Sequence, residues 1–429
     1  MTVTSGITLR VATENAATYG TAPTGSGDYT EVRMTSEDLS PNLEYTESSA
    51  IRSDGQITEM IRTDAQGGGS IAGELCYDSV FDTLSQASVA SDTTTTVSAA
   101  VVSDCTPSAP TADIPGFFTA GSGSPFSSFT TGMWIVVSGG DAANRKVFKI
   151  TKKTNTVIHV IGNTVTVGSE KSHTFTPLTA YHNGKTVQSF TLERQDADDT
   201  NEVERYTGMS VNSLELTVPT TGIITYSFGV EGKKPTSESS TAGSSHNDAA
   251  TTSPMAAADV VQFWEGDTDL TDVSAAAGTS HPWAENPFQL LDFSLSITPN
   301  LRQRKTIGSI GPSAKAGRGD IGVTGSFRCY YNADADGSTA TRTNKTLIDK
   351  ALNDTATSLA IYVKDADGNG YIFDLPKVQL TSATHTTPGK SEDVIVEVEF
   401  QAYRNELDYN PVTDVTGTTI RIAKGTSLT

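Results

Sequence analysis

The sequence has few of the residues on which most catalytic and metal sites depend. Its six histidines are scattered, and none stands at a spacing typical of zinc ligands. The three cysteines, Cys76, Cys105 and Cys329, are an odd number without ligand spacing, which indicates reduced thiols rather than a disulfide framework. Nucleophile-elbow, phosphate-loop and dinucleotide motifs are also missing. We therefore expect no enzymatic activity, no catalytic residues, no metal and no cofactor.

Long apolar runs and excess positive charge are missing as well. No run approaches the roughly 18 apolar residues that a membrane helix needs, and the N-terminus lacks the pattern of a signal peptide. The prediction is synthesis in the cytoplasm without membrane insertion. With 30 basic and 50 acidic residues, the formal net charge of −20 repels phosphate backbones. A conventional DNA-binding role is therefore excluded.

Short runs rich in Val, Ile, Phe and Tyr are separated by Gly, Ser, Thr and Asn. This pattern predicts an all-β protein with short flanking helices. A chain of 429 residues is long enough for two to four domains of roughly 100 to 200 residues.

The order of motifs suggests one unit present twice. Pro-Asn-Leu occurs at 41–43 and at 299–301, and a strand with alternating Gly follows each time, at 71–75 and at 323–327. A short amphipathic helix comes next, SVFDTLSQAS in the first copy and NKTLIDKALN in the second. Each copy continues with strands, among them SFTLER and VNSLELTV in the first, and SLAIYV and YIFDLPKVQL in the second. The sequence thus predicts two tandem β-sandwich or barrel domains.

The last strand of each copy alternates apolar and polar residues. IITYSFGV places alternate residues on one face, and so does DVIVEVEFQAY. They are Ile224, Tyr226, Phe228 and Val230 in the first copy, and Val394, Val396, Val398, Phe400 and Ala402 in the second. A two-residue period predicts half-buried antiparallel strands.

The first copy carries a long insertion between its helix SVFDTLSQAS and its strand SFTLER, whereas the second copy has only a short connection there. The predicted division is a discontinuous first domain (1–88 and 181–235), an inserted small β-domain (89–180), a linker (236–254) and a second domain (255–429). The linker is rich in Ser, Thr and Ala, so we expect a flexible surface connection.

Two local patterns have both a functional and a structural interpretation. KDADGNGY at 364–371 matches half of a calcium loop, but Pro376 stands where the closing Glu belongs, which favours a hairpin turn. The tryptophans Trp134, Trp264 and Trp283 could form a sugar platform, but they lie in separate segments, so a core or interface role is favoured.

An ordered series of motifs runs along the chain: the Pro-Asn-Leu motif with its long IRSDGQ loop, the Gly-bearing strand and helix, SFTLER, YTGMSVNSLELTV, GNGYIFDLPKVQL and DVIVEVEFQAY. This series resembles the tail tube (major tail) proteins of long-tailed bacteriophages. The resemblance covers most of the chain outside 89–180 and 235–254.

This resemblance implies domains whose sheets join side by side around a channel through which viral DNA passes. Rings of such domains stack into the tail of the virion. Because family members with one domain form sixfold rings, a chain with two domains implies a homotrimer with pseudo-sixfold symmetry. The implied partners are other copies of the chain, the tail terminator and tail tip proteins, and, transiently in the lumen, the tape measure protein and DNA.

The resemblance also assigns roles to charged residues. The loops at 43–70 and 301–320 are expected to contact an adjacent ring or subunit. The candidate charges for contacts between rings are Arg52, Asp54, Arg62, Arg302, Arg304, Lys305 and Arg318. A negative lumen would avoid sticking to DNA. The candidate acids that face it are Glu193, Glu215, Glu397 and Glu399.

Three other interpretations stay open from the sequence. Tandem β-domains with Thr- and Ser-rich linkers are common in bacterial surface or secreted adhesins, although no export signal is visible. A carbohydrate-active enzyme with β-modules would need two carboxylates across a groove. A minor tail or baseplate protein would differ from the tube subunit mainly in copy number.

Overall fold

The computed structural model describes residues 6–91, 97–110, 116–197, 201–266, 283–285, 289–331, 345–387, 389–390, 392–409, 416–426 and 428. Strands dominate these residues and helices are short, so the predicted all-β fold class is confirmed.

The elements follow the chain in four groups. The first group is β1 (Ile7–Thr13), β2 (Tyr29–Glu31), β3 (Ser36–Glu37), β4 (Ser40–Glu47), β5 (Met60–Glu74) and helix α1 (Ser79–Ser88). The second is β6 (Ala100–Ser108), β7 (Phe117–Ala120), β8 (Trp134–Gly139), β9 (Val147–Lys153), β10 (Val157–Ile161) and β11 (Lys171–Pro177). The third is β12 (Thr179–His182), β13 (Phe190–Asp196), β14 (Val203–Val218), β15 (Thr225–Lys233), β16 (Thr236–Glu238) and β17 (His246–Asn247). The fourth is β18 (Val260–Gly266), β19 (Trp283–Glu285), β20 (Leu290–Thr298), β21 (Arg302–Arg304), β22 (Ala314–Gly317), β23 (Gly322–Tyr330), helix α2 (Lys345–Leu352), β24 (Thr357–Lys364), β25 (Gly370–Thr386), β26 (Ile395–Ala402), β27 (Asn405–Tyr409), β28 (Thr416–Thr418) and β29 (Arg421–Gly425).

Both copies contribute four strands to one continuous antiparallel layer. Its order is β3, β5, β15, β14, β20, β23, β26 and the end of β25, and the pairing of β14 with β20 joins the first copy to the second. The sequence predicted the strands but not this junction, because strand pairing is a property of the folded chain rather than of local periodicity.

The internal repeat is visible in the packing of two glycines. Gly73 on β5 stands opposite Tyr226 on β15, and Gly325 on β23 stands opposite Phe400 on β26. A β-carbon on either glycine would collide with the aromatic ring across the sheet. The two copies therefore use the same small-to-large pairing at matching places.

The alternating strands bury one face, as the period of two predicts. Val396, Val398, Phe400 and Ala402 are buried, whereas the residues between them on β26 are exposed. The predicted inward residues of β15 are buried as well. This face covers one main core, which is shared by both copies.

Helix α1 begins and ends at the predicted residues. The Asp78 side chain accepts a hydrogen bond from the backbone N–H of Val80 (3.0 Å), an N-terminal cap. Phe81 of α1 packs against Tyr226 and Phe228 of the first copy, and against Tyr371 of the second. The helix thereby ties the two copies together.

A second layer of strands covers the other side of the main core. In the second copy, Leu359, Ile361 and Val363 of β24 point into that core. Their neighbours Ala360 and Tyr362 point the other way, into a separate cluster with Trp134 and Trp264.

That separate cluster belongs to the docking site of a small closed barrel. The barrel has the strand order β10, β7, β6, β11, β8 and β9, and its interior is a cluster of its own. It lies inside the predicted insertion, although the exact domain boundaries stay a prediction. The order of layers is therefore the eight-strand layer, the main core, the second layer and the barrel.

The segment predicted as a flexible linker is packed against the first copy. β16 pairs with β14, and β17 pairs in parallel with β2. Thr252 donates a hydrogen bond to the carbonyl of Tyr77 (2.9 Å), and its own carbonyl accepts one from Arg33 (2.6 Å). The expectation of a flexible connection was wrong because composition does not register such pairing.

Candidate functional site

The outward side of the eight-strand layer is a broad polar surface, called the polar face below. One row of directly paired residues crosses all eight strands: Ser36, Ala72, Ser227, Glu215, Ser296, Thr324, Gln401 and Gln379. A second row runs parallel to it: Glu74, Thr225, Thr217, Ser294, Ser326, Glu399 and Ser382. These rows contain small and polar side chains, so the surface resembles a solvated wall rather than a docking site for another core.

Three of the four predicted lumen acids lie on this face. Glu215, Glu397 and Glu399 are all exposed. They come from both copies, since Glu215 is on β14 and the other two are on β26. The structure thus brings together residues that are distant in the sequence.

Glu193, the fourth predicted acid, is on the far side of the main core. It is fully buried on the outward side of β13, where its carboxylate accepts hydrogen bonds from Arg205 Nε (2.8 Å) and from the backbone N–H of Ala242 (2.9 Å). A buried, paired carboxylate cannot present its charge to a channel, so we do not assign Glu193 to the lumen. The alternation of β13 was interpreted correctly, but its polar side is covered by the 236–254 segment.

Sequence reasoning missed a charge pair on the polar face. Arg328 Nε donates to Asp292 at 2.7 Å, and Glu397 stands directly opposite Arg328. The hydrogen bond to Asp292, with a smaller contribution from Glu397, raises the pKa of the Arg328 guanidinium. Since Arg328 is neutralised by Asp292, Glu397 keeps the face negative. Apolar and polar residues alternate in FRCYY, which contains Arg328, and in LDFSLS, which contains Asp292. This alternation could have placed both charged residues on the polar side of their strands.

The first long loop forms a projecting hairpin of β4 and β5, called the first hairpin. All residues of β4 are exposed, and so are Ile51, Ile57, Met60 and Ile61. Such a set of exposed apolar side chains is typical of an interaction surface.

Three predicted loop charges lie on the first hairpin. Arg52 and Asp54 form an ion pair at the tip (3.0 Å), and the hydrogen bond from Arg52 lowers the pKa of Asp54. Arg62 is exposed on β5. The tip therefore offers both signs of charge in a fixed arrangement.

The second long loop is the shorter hairpin of β21 and β22, called the second hairpin. Arg302 and Arg304 are exposed on it, and Arg302 donates a hydrogen bond to the carbonyl of Arg318 (2.9 Å). These two arginines, Arg302 and Arg318, help to line an open cavity of about 800 Å³.

Lys305 differs from the other predicted loop charges because its partner lies on the other hairpin of the same chain. Its ammonium group contacts the carboxylate of Asp64 on β5 and lowers the pKa of that carboxyl. Gly311 of the same loop lies against the carbonyl of Ala65. The second hairpin therefore rests on the base of the first one.

The remaining candidate patterns have structural roles. Asp365 accepts hydrogen bonds from the backbone N–H groups of Asp367 (2.9 Å) and Asn369 (2.8 Å), as a hairpin turn between β24 and β25 requires. Trp134 and Trp264 are buried, and their ring centroids are 4.9 Å apart, which confirms their core or interface role. The side chain of Trp283 is outside the described residues. Cys76, Cys105 and Cys329 are buried free thiols.

The described part of the chain lacks both a metal-binding cluster and a membrane-spanning helix. It contains no group of three or more His, Cys, Asp or Glu side chains that could hold a metal ion. Neither of its α-helices has the length and apolar character that a membrane crossing requires.

Comparison with known proteins gives one family. The family model described as phage tail tube protein matches residues 4–402, nearly the whole chain. No curated protein matches the sequence.

Proposed function

The chain belongs to the phage tail tube protein family, and from this premise we propose that it is the major subunit of a tail tube, a structural protein of the virion rather than an enzyme. Three chains form a ring, rings stack into the tube, and viral DNA passes through the channel. The observation that carries this proposal is the continuous eight-strand layer with its uninterrupted polar face.

The polar face is the proposed lining of the channel. Its exposed acids Glu215, Glu397 and Glu399 give it negative charge. A negative wall repels the phosphate backbone and prevents the counterion release that makes DNA bind to basic surfaces. DNA would therefore move along the tube without adhering to it.

The number of chains in a ring is argued from the internal repeat. Each chain supplies two equivalent four-strand units to one layer, and the glycine-to-aromatic pairings at Gly73 and Gly325 mark equivalent positions in them. Three chains then present six units, which gives a homotrimer with pseudo-sixfold symmetry. In this arrangement the barrel projects outward, because the main core and the second layer separate it from the polar face.

Contacts between stacked rings are assigned to the two hairpins. The tip of the first hairpin offers Arg52, Asp54 and nearby exposed isoleucines, with Arg62 on its stem. The second hairpin offers its arginines, Arg302, Arg304 and Arg318, next to an open cavity. Lys305 is left out of this set because it binds Asp64 at the base of the first hairpin, whereas the Arg52–Asp54 pair lies at the exposed tip.

Other partners follow from the place of the subunit in a tail. We expect the tail terminator and tail tip proteins at the ends of the tube, and the tape measure protein inside it before DNA. The chain would be made in the cytoplasm of the host and act in the virion tail, without entering a membrane.

Electron microscopy of the purified protein, with averaged end-on views and the mass of the soluble form, tests the proposal. Hollow rings or tubes with three chains in a sixfold-looking layer are expected. Six chains per ring would keep the function but contradict the trimer. If tails assembled in a phage contain the chain in only a few copies, the assignment as major subunit is wrong.

A further inference from the structure

We propose that strand β29 is a latch that holds the barrel on the outer side of β24 and β25, called the barrel seat below, and that the barrel leaves this seat as an intact unit when β29 is released. The latch acts within a single chain, so its test does not require assembly into tubes. It explains how a barrel inserted in the first copy stays fixed on the second.

Strand β29 lies between segments of both copies. On one side it pairs with β25 of the second copy, and on the other side it pairs with β12. Only Leu178 separates β12 from the last barrel strand, β11. Strand β29 therefore joins the second copy to the segment that carries the barrel.

Two cationic side chains of β29 extend this connection. Arg421 donates a hydrogen bond to the carbonyl of Gly132, just before barrel strand β8, and forms an ion pair with Asp374 of β25 (3.7 Å). Lys424 binds the carboxylate of Asp82 on helix α1. One short strand thus contacts the barrel, the second copy and a helix of the first copy.

Apolar packing at the barrel seat also includes β29. Ala423 belongs to the cluster that contains Trp134 of the barrel and Trp264 of the second copy. Leu178 belongs to the same cluster and lies so close to Gly425 that a β-carbon there would collide with it. Release of β29 would therefore uncover apolar surface on both sides of the contact, which makes the latched state the favoured one.

The charges at the barrel seat make its opening all-or-none. Lys149 of the barrel and Asp374 of β25 are fully buried and 2.8 Å apart. A partial opening would separate these charges before water could solvate them, which is costly. The barrel can persist after full release because its sheet is closed and its interior is a core of its own.

The order of elements along the chain gives the latch a role in folding. The barrel strands β6 to β11 and the seat strands β24 and β25 all precede β29. In a growing chain, the barrel and its seat are therefore made before the strand that fixes them together. The two copies and the barrel become one unit only when β29 pairs with β25 and β12.

Tryptophan fluorescence reports on the barrel seat. The rings of Trp134 and Trp264 belong to opposite sides of the contact, with centroids 4.9 Å apart. The chain has three tryptophans, so Trp283→Phe leaves only these two as the source of the signal. In a urea titration of this variant, we expect the fluorescence to change at a lower urea concentration than the far-ultraviolet circular dichroism, because the barrel is released intact.

A disulfide lock then tests the role of β29. Ala180 of β12 and Ala423 of β29 stand directly opposite each other, so Ala180→Cys with Ala423→Cys should form a disulfide on oxidation. The native cysteines are buried and can stay in place. After a jump in urea concentration, the oxidised lock should release the barrel at least about tenfold more slowly than the reduced form of the same variant.

Two further variants separate a latch from general stabilisation. Ser294→Cys with Ser326→Cys places a disulfide across β20 and β23 of the inner layer, and its oxidation should leave the release rate unchanged. Lys424→Met should lower the urea midpoint of the fluorescence change, although the partner of Lys424 is on α1.

Each contrary result overturns a stated part of the proposal. A single transition, seen at the same urea concentration by fluorescence and circular dichroism, would contradict the release of an intact barrel. A lock that leaves the release rate unchanged, a control disulfide that slows release equally, or an unchanged midpoint in Lys424→Met would contradict the role of β29 as the latch.

Discussion

The two copies share one inner layer but cover their outer faces in different ways. In the first copy, the outer side of β13 is polar, and the 236–254 segment covers it. Glu193 of β13 accepts hydrogen bonds from Arg205 of β14 and from the backbone N–H of Ala242 in that segment. In the second copy, the outer side of β24 and β25 is mostly apolar around the buried Asp374, and the barrel covers it. The barrel is inserted in the first copy yet docks on the second.

The two copies thus keep a common inner layer, whereas their outer surfaces differ in what covers them. The inner layer pairs with equivalent strands and has to keep its register. The outer face of each copy only needs a cover, and either a connecting segment or a whole barrel provides one.

The largest effect is expected at the contact between the barrel and the second copy. Lys149 of the barrel and Asp374 of β25 form a fully buried ion pair (2.8 Å), and Trp134 Nε1 donates to the same carboxylate (2.9 Å). Asp374→Asn removes the carboxylate charge that the buried Lys149 and Arg421 share at this contact. A loss of about 3–5 kcal/mol in the free energy of unfolding is expected, measured by denaturant titration.

The control for this variant is Asp292→Asn in the same copy. Asp292 pairs with Arg328 on the exposed polar face, so its loss should cost at most about 1 kcal/mol. Equal losses in the two variants would contradict the view that burial, rather than pairing as such, fixes the barrel.

A smaller loss is expected where the 236–254 segment covers the first copy. Glu193→Gln removes the charge that binds Arg205, but Arg205 keeps Glu238 as a second partner (3.4 Å). The expected cost is about 1.5–3 kcal/mol, the range for hydrogen bonds to charged groups. Faster proteolysis within 236–254 should accompany it, and unchanged cleavage would contradict the covering role of this contact.

The paired glycines of the inner layer compare the two copies directly. A β-carbon at Gly325 would meet the backbone carbonyl of Ser294 as well as the Phe400 ring, whereas at Gly73 it would meet mainly the hydroxyl end of Tyr226. Gly325→Ala should therefore cost about 1–3 kcal/mol in stability, and Gly73→Ala less. Thermal unfolding of both variants measures the difference, and the reverse order would contradict the packing argument.

The contact between the hairpins should have a modest and pH-dependent effect. The hydrogen bond from Lys305 lowers the pKa of Asp64, so its contribution to stability is present above the pKa of the unfolded carboxyl, about 3.9. The contribution is lost as the pH falls through the lower pKa of the folded state. Because Lys305 is half exposed, Lys305→Met should cost at most about 1 kcal/mol at neutral pH. A cost that persists below both pKa values would contradict an ionic contact.

The smallest effect on folding is expected from the acids of the proposed channel lining, but these acids should affect function. Glu215→Lys and Glu399→Lys change exposed residues of the polar face, one in each copy. Stability should hardly change, while DNA ejection from assembled particles slows, most at low salt. Each new phosphate contact should steepen, by about 0.9, the slope of the logarithm of the DNA-binding constant against the logarithm of the salt concentration.

Glu170→Lys is the matched control for these reversals, since Glu170 is exposed in the barrel segment and so on the other side of the main core. It should leave ejection unchanged. Slowing by Glu170→Lys as strong as by the lumen variants would indicate an effect of net charge rather than of the channel wall.

Much of the fold was predictable because local periodicity has a direct physical cause. Alternation on β15 and β26 predicted their buried faces, and the apolar spacing of SVFDTLSQAS predicted α1. Three of the four candidate lumen acids were found on one face for the same reason. Glu193 was misplaced because alternation separates two sides of a strand without saying what covers each of them.

By itself, the sequence determined the all-β class, the repeat and the acidic, polar sides of the strands, since these depend on residues close together in the chain. Only the tertiary structure decided that β14 pairs with β20, that Trp134 meets Trp264, and that Lys149 meets Asp374. Those contacts join residues far apart in the chain. They depend on which surfaces remain to be buried after the local elements have formed, and no local pattern encodes that choice.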